Sequence, residues 1–182
     1  MNKTNMEQWI ASLFTTSAKK PLPILSFPSI QLMGCTVRDL ISDSHMQAQG
    51  MKRVADRVPS AAAVSLMDLS VEAECFGAPI RVADDEVPTC TAPVISVEAE
   101  EDERMEQAKA LAVPKVGAGR TALYIDAIRE ALTLITDRPV LAGVIRPFSL
   151  AGRLVSVTES MLYCYDEPEM MHVVLEKATE FI

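Results

Sequence analysis

Apolar residues recur every three to four positions in several stretches of the chain, which is the spacing of one face of an α-helix. The first such stretch carries Met6, Trp9, Ile10, Leu13 and Phe14, and it predicts an amphipathic helix within residues 1–20. Further helices are predicted at residues 43–58, 121–135 and 166–182, with a single helical turn at residues 37–41. The apolar segments between these helices therefore decide the fold class.

Three apolar runs between the helices are too short to be helices themselves and predict buried strands. These runs are residues 24–27, 61–67 and 140–145. Residues 79–83 and 87–95 flank the turn at residues 84–85 and predict a β-hairpin. Strands that alternate with helices form parallel sheets with right-handed crossovers. The pattern predicts an α/β protein with about three parallel strands and a hairpin.

Composition narrows the class of protein. The chain has 182 residues, of which 49% are hydrophobic and 23% charged, enough for one core and too apolar for disorder. The net charge of −8 disfavours nucleic acid, because phosphate binding needs a basic face. No apolar run approaches the length of a membrane-spanning helix, and no signal peptide is recognisable at the N-terminus. Four widely spaced cysteines without a C-x-x-C pattern predict reduced thiols in a soluble, cytoplasmic protein.

One acid occupies a position that suits catalysis. Asp68 directly follows the apolar run at residues 61–67. In a parallel α/β sheet, loops and catalytic groups converge at the C-terminal ends of the strands, so Asp68 is a candidate active-site acid. Aspartate is also a favoured helix cap, so its carboxylate could instead accept hydrogen bonds from backbone N–H groups of the next segment. The local pattern leaves both interpretations open.

Several segments together carry a resemblance to a known family. They are residues 23–27, 48–51, 64–74, 85–89, 119–120 and 147–152. The most characteristic are DLSVEAE at residues 68–74 and PFSLAG at residues 147–152. The chain resembles the uroporphyrinogen decarboxylase superfamily, and within it the branch of methylcobamide:coenzyme M methyltransferases and related corrinoid-dependent methyltransferases. The resemblance covers nearly the whole chain from about residue 20.

The resemblance implies a fold. The family is a (β/α)8 barrel with its active site at the C-terminal ends of the strands. Residues 1–182 are then a single incomplete barrel domain, with an N-terminal helix in residues 1–20 and strands one to three in residues 21–182. About five strands would be absent, so we expect a fragment, a truncated gene product or half of a split enzyme. Open sheet edges invite pairing, so the expected partner is a complementary C-terminal half or a second copy.

The decarboxylase and methyltransferase branches differ in one segment of this sequence. The decarboxylase pattern places an Arg-Gln-Ala-Gly-Arg run after strand one, to hold the many carboxylates of its substrate. Here residues 27–31 read Phe-Pro-Ser-Ile-Gln, without arginine. Arginine is the favoured bidentate partner of carboxylates, so its absence favours methyl transfer to a thiol such as coenzyme M. Uroporphyrinogen decarboxylase stays as the alternative in the family, and an inactive half-barrel as the alternative outside catalysis.

The methyltransferase branch implies a zinc ion, which binds the acceptor thiol, and a methylcobamide carried by a corrinoid protein. Its zinc ligands are a His-x-Cys pair and a distant cysteine. Neither His45 nor His172 begins a His-x-Cys in this sequence. We therefore expect this chain alone to hold no metal and no cofactor, and to be inactive by itself.

The resemblance also implies a pocket in which Asp68 orients or electrostatically assists the thiol or corrinoid site. Arg146 stands where the family usually has glycine, so its guanidinium could contact a sulfonate or phosphate. Relaxed constraint in a degraded gene is the other explanation of Arg146. The residues expected to line the pocket are Phe27, Met67, Arg146, Phe148 and Ser149.

Overall fold

The computed structural model describes residues 4–182, and within them the chain divides into two compact units. The first unit comprises residues 4–66 and Tyr124–Gly143, and the second comprises Met67–Leu123 and Val144–Ile182. With elements numbered in chain order, the first unit holds α1 (Met6–Thr15), α2 (Ser29–Met33), α3 (Val37–Ser42), α4 (Ser44–Arg57), β1 (Ala63–Val64), most of α7 (Thr121–Leu134) and β4 (Val140–Leu141). The second unit holds α5 (Val71–Cys75), β2 (Ile80–Arg81), β3 (Thr89–Cys90), α6 (Glu101–Ala110), α8 (Pro147–Leu154), α9 (Val157–Asp166) and α10 (Pro168–Phe181).

The predicted helices of the first unit are confirmed as α1, α3, α4 and α7. Helix α4 begins at Ser44 because the side chain of Asp43 accepts a hydrogen bond from the amide of Met46 at 3.0 Å, as an N-cap residue does. The buried core of this unit consists of Ala48, Met51, Ala55, Ala63, Ala131 and Ile135. The small side chains on α4 and α7 let both helices pack closely around β1.

Two of the predicted strands pair as a parallel ladder. Ala63 lies opposite Val140 and Val64 opposite Leu141, so β1 and β4 are neighbours in register. The strands are shorter than the predicted runs 61–67 and 140–145. The ladder is nevertheless continued by one side chain, since Ser65 Oγ accepts a hydrogen bond from the amide of Gly143 at 2.8 Å.

The strand predicted at residues 24–27 is wrong. This segment runs as an extended stretch into a turn that leads to α2. The segment is joined to the β1 region by a side chain, since Ser26 Oγ donates to the carbonyl of Ser65 at 2.8 Å, and just before it the carbonyl of Pro21 accepts the amide of Ala61. Pro23 and Pro28 stand directly on either side of the segment and have no N–H group, so a ladder could not continue past either end.

The second unit confirms the predicted hairpin, because β2 and β3 pair antiparallel with Ile80 opposite Cys90 and Arg81 opposite Thr89. Helix α6 begins with three exposed acids, Glu101, Asp102 and Glu103. Helices α8 and α10 form the buried core of this unit together with α5 and α6. Its largest fully buried side chains are Ile95, Leu150, Leu154, Val155, Met170, Met171 and Val174.

A buried ion pair joins α6 to the start of α10. The guanidinium of Arg104 binds both carboxylate oxygens of Glu167 and lies over the ring of Tyr163, 4.8 Å from its centroid. Arginine suits this place because its planar group can bond a carboxylate and stack on an aromatic ring at once.

Helix α9 was not predicted as a separate element. It buries Ser160 and Tyr163 but leaves Val157, Met161, Leu162 and Tyr165 exposed, Tyr165 by 89%. Several exposed apolar side chains on one helix can form a contact surface. The strands of the described residues form one parallel pair and one antiparallel hairpin, in place of the three predicted parallel strands. Together with the helices, they confirm the α/β class.

Candidate functional site

The carboxylate of Asp68 is fully buried in the second unit and is held on both oxygens. Its side chain has 0% of its surface exposed. Oδ1 accepts hydrogen bonds from the amide of Ser70 at 2.9 Å and from its hydroxyl at 2.6 Å. This is an Asx turn, in which a short acid bonds to the backbone two residues ahead. Asp68 thus stabilises the turn that precedes α5 through its side chain, and its backbone carbonyl accepts the amide of Val71 at the start of the helix.

The second oxygen of Asp68 meets a guanidinium. Arg120 Nη1 donates to Asp68 Oδ2 at 2.7 Å, and its Nε donates to Glu74 Oε2 at 2.6 Å. Its Nη2 lies 3.3 Å from the hydroxyl oxygen of Ser70. We call these four residues, Asp68, Ser70, Glu74 and Arg120, the Asp68–Arg120 cluster. One cation is shared by two carboxylates, and the side chain of Arg120 is only 17% exposed, so the cluster is a partly buried ionic network.

The loop that presents Arg120 is held by a cysteine. Gly119 has φ of +52°, a left-handed conformation that favours glycine, and a Cβ there would lie 3.3 Å from Cys75 Sγ. The thiol of Cys75 lies 3.1 Å from the carbonyl oxygen of Ala118 and 3.3 Å from that of Val71. Burial raises the pKa of Cys75, so the thiol stays protonated and can donate.

A second carboxyl group stands beside the cluster. Glu72 Oε1 accepts the amide of Ile145 at 3.3 Å, which ties α5 to the segment ahead of α8. Glu72 Oε2 is buried and has no hydrogen-bond partner among the described residues. Burial raises the pKa of Glu72, and the charge of Asp68 raises it further, while the amides of Glu72 and Ile145 and the charge of Arg120 lower it.

Three other predicted site residues come together at the start of α8. Arg146 is the N-cap residue, with its side chain exposed, and Pro147 occupies the first helical position. Phe148 and Ser149 are exposed in the first turn. Arg146 forms no ion pair within residues 4–182, and no side chain caps the freed N–H groups of α8. A guanidinium beside a helix N-terminus favours the binding of an anion there.

Met67 and Phe27 lie in different units. Met67 is half-buried and directly precedes Asp68 in the second unit, while Phe27 is half-buried in the turn before α2 in the first unit. Sequence reasoning found Asp68 but missed Glu72, Glu74 and Arg120 as its neighbours. The spacing of Asp68 and Glu72 by four positions was a signal for the first of these, whereas nothing local pointed to Arg120.

The described residues offer no ligand set for zinc. No three His, Cys, Asp or Glu side chains within residues 4–182 converge as a metal site. Zinc in proteins takes three or four such ligands. Of the two histidines, His45 contacts Glu130 on the surface at 2.6 Å. The residues present therefore do not fit the zinc that the resemblance implies.

Among the described residues, no helix is long and apolar enough to cross a membrane.

Comparison with known proteins identifies the family. The sequence profile of the uroporphyrinogen decarboxylase (URO-D) family matches residues 28–182. Because the match covers most of the chain, the chain belongs to the URO-D family. The resemblance carried by the DLSVEAE and PFSLAG segments is thereby confirmed at the level of the family.

A solved structure has a similar fold. A methyltransferase from Methanosarcina mazei superposes with a TM-score of 0.77 at 18% sequence identity, covering 98% of this chain and 53% of its own. This chain therefore spans about half the length of that structure. The comparison with curated proteins gave no match.

Proposed function

We propose that this chain is part of a corrinoid-dependent methyltransferase that moves a methyl group from a methylcobamide to a thiol such as coenzyme M. In this reaction the sulfur–carbon bond forms as the methyl group leaves the cobamide, and the thiol gives up its proton. The shared fold of the Methanosarcina mazei methyltransferase supports this branch of the family. The fold on this proposal is the N-terminal half of a (β/α)8 barrel.

The observation that carries the proposal is that Arg120 is bonded to acids of the protein itself. Its guanidinium is committed to the carboxylates of Asp68 and Glu74. Residues 27–31 contain no arginine that could replace it. A substrate with many carboxylates needs guanidinium partners, and the Asp68–Arg120 cluster leaves few of these for it. A small substrate with one anionic end needs far fewer guanidinium partners.

On this proposal, Arg146 and the first turn of α8 bind the anionic end of the thiol. The exposed guanidinium of Arg146, the freed N–H groups of α8 and the hydroxyl of Ser149 supply donors there. Phe148 provides apolar contact, and Met67 is the other apolar residue of the second unit that we propose for the lining. Asp68 orients the site through the cluster. Zinc ligands would come from outside residues 4–182, because the side chains described there form no metal-binding group.

The partner we propose is a polypeptide that supplies the rest of the barrel, and a corrinoid protein as methyl donor. The chain spans 53% of its structural neighbour, and α9 presents an exposed apolar face that a further element could cover. The four free cysteines support a location in the reducing cytoplasm. The chain alone is then inactive.

The test is demethylation of methylcobalamin by the chain together with a polypeptide that supplies the rest of the barrel, with zinc and 2-mercaptoethanesulfonate. We expect turnover that falls in D68N and keeps its rate in D126N, which alters an exposed acid of α7. A rate no higher than that of free thiol contradicts the proposal. Turnover of uroporphyrinogen would favour the decarboxylase, and inactivity in both assays the non-catalytic half-barrel.

A further inference from the structure

Glu72 is the one acidic side chain of the DLSVEAE segment that bonds to the segment ahead of α8. Its neighbours Asp68 and Glu74 both pair with Arg120, whereas Glu72 Oε1 receives the amide of Ile145 at 3.3 Å. Ile145 directly precedes Arg146. The carboxyl of Glu72 is therefore bonded to the residue that directly precedes the exposed group of Arg146, Phe148 and Ser149.

The surroundings of this carboxyl are unusual for a group with so few bonds. Oε2 is buried and has no hydrogen-bond partner among the described residues. An ionised carboxylate in this state is costly, because burial removes water and the nearby Asp68 repels it. The charged groups that act on Glu72 are Asp68, which precedes α5, and Arg120, which precedes α7.

We propose that Glu72 is a positioning residue that holds the segment of residues 145–149 against α5, and so sets where Arg146 and Ser149 stand when an anionic thiol binds. This inference rests on the proposed function for its ligand and on the Glu72–Ile145 bond for its mechanism. Glu72 itself need not touch the ligand. Because a carboxylate accepts hydrogen bonds more strongly than a neutral carboxyl, gain of a proton at Glu72 loosens the hold on Ile145.

The first readout is the backbone itself, followed as the ¹⁵N–¹H signals of Ile145 and Arg146 between pH 4 and pH 8 (a range around the ordinary glutamate pKa of about 4.3). In the wild-type chain we expect the Ile145 signal to shift in one titration step. The E72Q variant should lose this step but keep the Ile145 signal protected from exchange, since its amide oxygen still accepts. Variant E101Q, an exposed acid of α6, should keep the step unchanged.

The second readout is binding of 2-mercaptoethanesulfonate, followed on the same signals. We expect E72A to weaken binding about three- to tenfold, the effect of one lost hydrogen bond, and E72Q to restore it to within about twofold. Control E101Q should bind as the wild type does. If E72A does not fold, the pH profile of E72Q against the wild type carries the test alone.

The two possible failures are distinguishable. If neither the wild-type chain nor any variant binds the thiol, the proposed ligand is wrong. The pH-dependent shift of the Ile145 signal then still tests the positioning role. If the Ile145 signal shows no pH-dependent shift in the wild type, or if E72A binds the thiol as the wild type does, the positioning role is wrong. That conclusion holds whether or not the chain is part of a methyltransferase.

Discussion

Arg120 and Asp68 lie 52 positions apart in the chain, yet the guanidinium of one donates to the carboxylate of the other at 2.7 Å. The contact joins the turn after β1 to the loop before α7. Asp68 has no exposed side-chain surface, so Arg120 matches its negative charge inside the protein. The pair decides both the stability of this turn and the orientation of the candidate catalytic acid.

Removal of the guanidinium should destabilise the chain strongly. R120A leaves the buried carboxylate of Asp68 without its cation, and breaking one partner of a buried pair costs about 3–5 kcal/mol, here nearer about 3 because Arg120 is partly exposed. The free energy of unfolding from urea titration measures this.

The matched control is R129A, which breaks the exposed Arg129–Asp126 pair on α7. Exposed pairs contribute about 0–1 kcal/mol, so its effect should be small. Equal effects of R120A and R129A would contradict the view that the Asp68–Arg120 cluster behaves as a buried network.

The stability of the chain should depend on the proton of Glu72. Burial raises the pKa of Glu72 in the folded chain, so the folded state holds the proton more tightly than the unfolded state does. The stability from this group is complete below the ordinary pKa of about 4.3 and is lost as the pH rises through the raised value. E72Q does not titrate, so it should gain stability relative to the wild type as the pH rises above the ordinary glutamate pKa of about 4.3.

Urea midpoints of wild type and E72Q at several pH values measure this difference. Variant E101Q removes the same charge at an exposed position and corrects for the change in net charge. A constant difference between E72Q and wild type over this range would show that Glu72 has the same proton affinity in both states.

Two glycines inside helices should respond oppositely to alanine. At Gly50 in α4 an added Cβ would lie 2.6 Å from Ser29 Oγ, because α2 packs closely there. G50A should therefore destabilise the chain by about 1–3 kcal/mol through overpacking.

At Gly152 in α8 the nearest atoms to an added Cβ are 3.5 Å away, an ordinary contact. G152A should be neutral or stabilising by up to about 1 kcal/mol, since alanine favours the helix. Thermal melting of both variants gives the comparison, and a destabilised G152A would mean that α8 tolerates no side chain there.

The cysteines should react with iodoacetamide in a fixed order. Burial raises the pKa of Cys35, Cys75 and Cys90, so little thiolate is present at these positions near neutral pH. Cys164 is exposed on α9 and should be modified first, as followed by mass spectrometry of peptides. In C164S the fast phase should disappear, and a fast phase that persists would locate the reactive thiol elsewhere.

The exposed face of α9 should cause the chain to associate when it is alone. We expect light scattering to give a mass above the 19.9 kDa of one chain, and M161K or Y165K to lower it. V116K changes an exposed apolar residue away from α9 and should have no effect. A monomeric mass at all protein concentrations would show that the exposed face of α9 does not mediate association in solution.

The sequence alone determined most of the helices and the family. The helical spacing of apolar residues sufficed for α1, α4, α7 and α10, because an amphipathic face is written within one segment. The position of Asp68 after an apolar run also pointed to the turn in which the Asp68–Arg120 cluster lies. The segments around residues 68–74 and 147–152 indicated the URO-D family that the profile match confirms.

Only the tertiary structure decided what surrounds that acid. Arg120 reaches Asp68 through a loop closure that no local pattern encodes, and Glu72 finds Ile145 in the same way. The predicted strand at residues 24–27 failed for a related reason, since a strand exists only where a neighbouring strand pairs along its length, and no strand of the described residues pairs with this segment. Helical hydrogen bonds close within four residues, whereas strands and ionic clusters depend on partners that folding alone brings together.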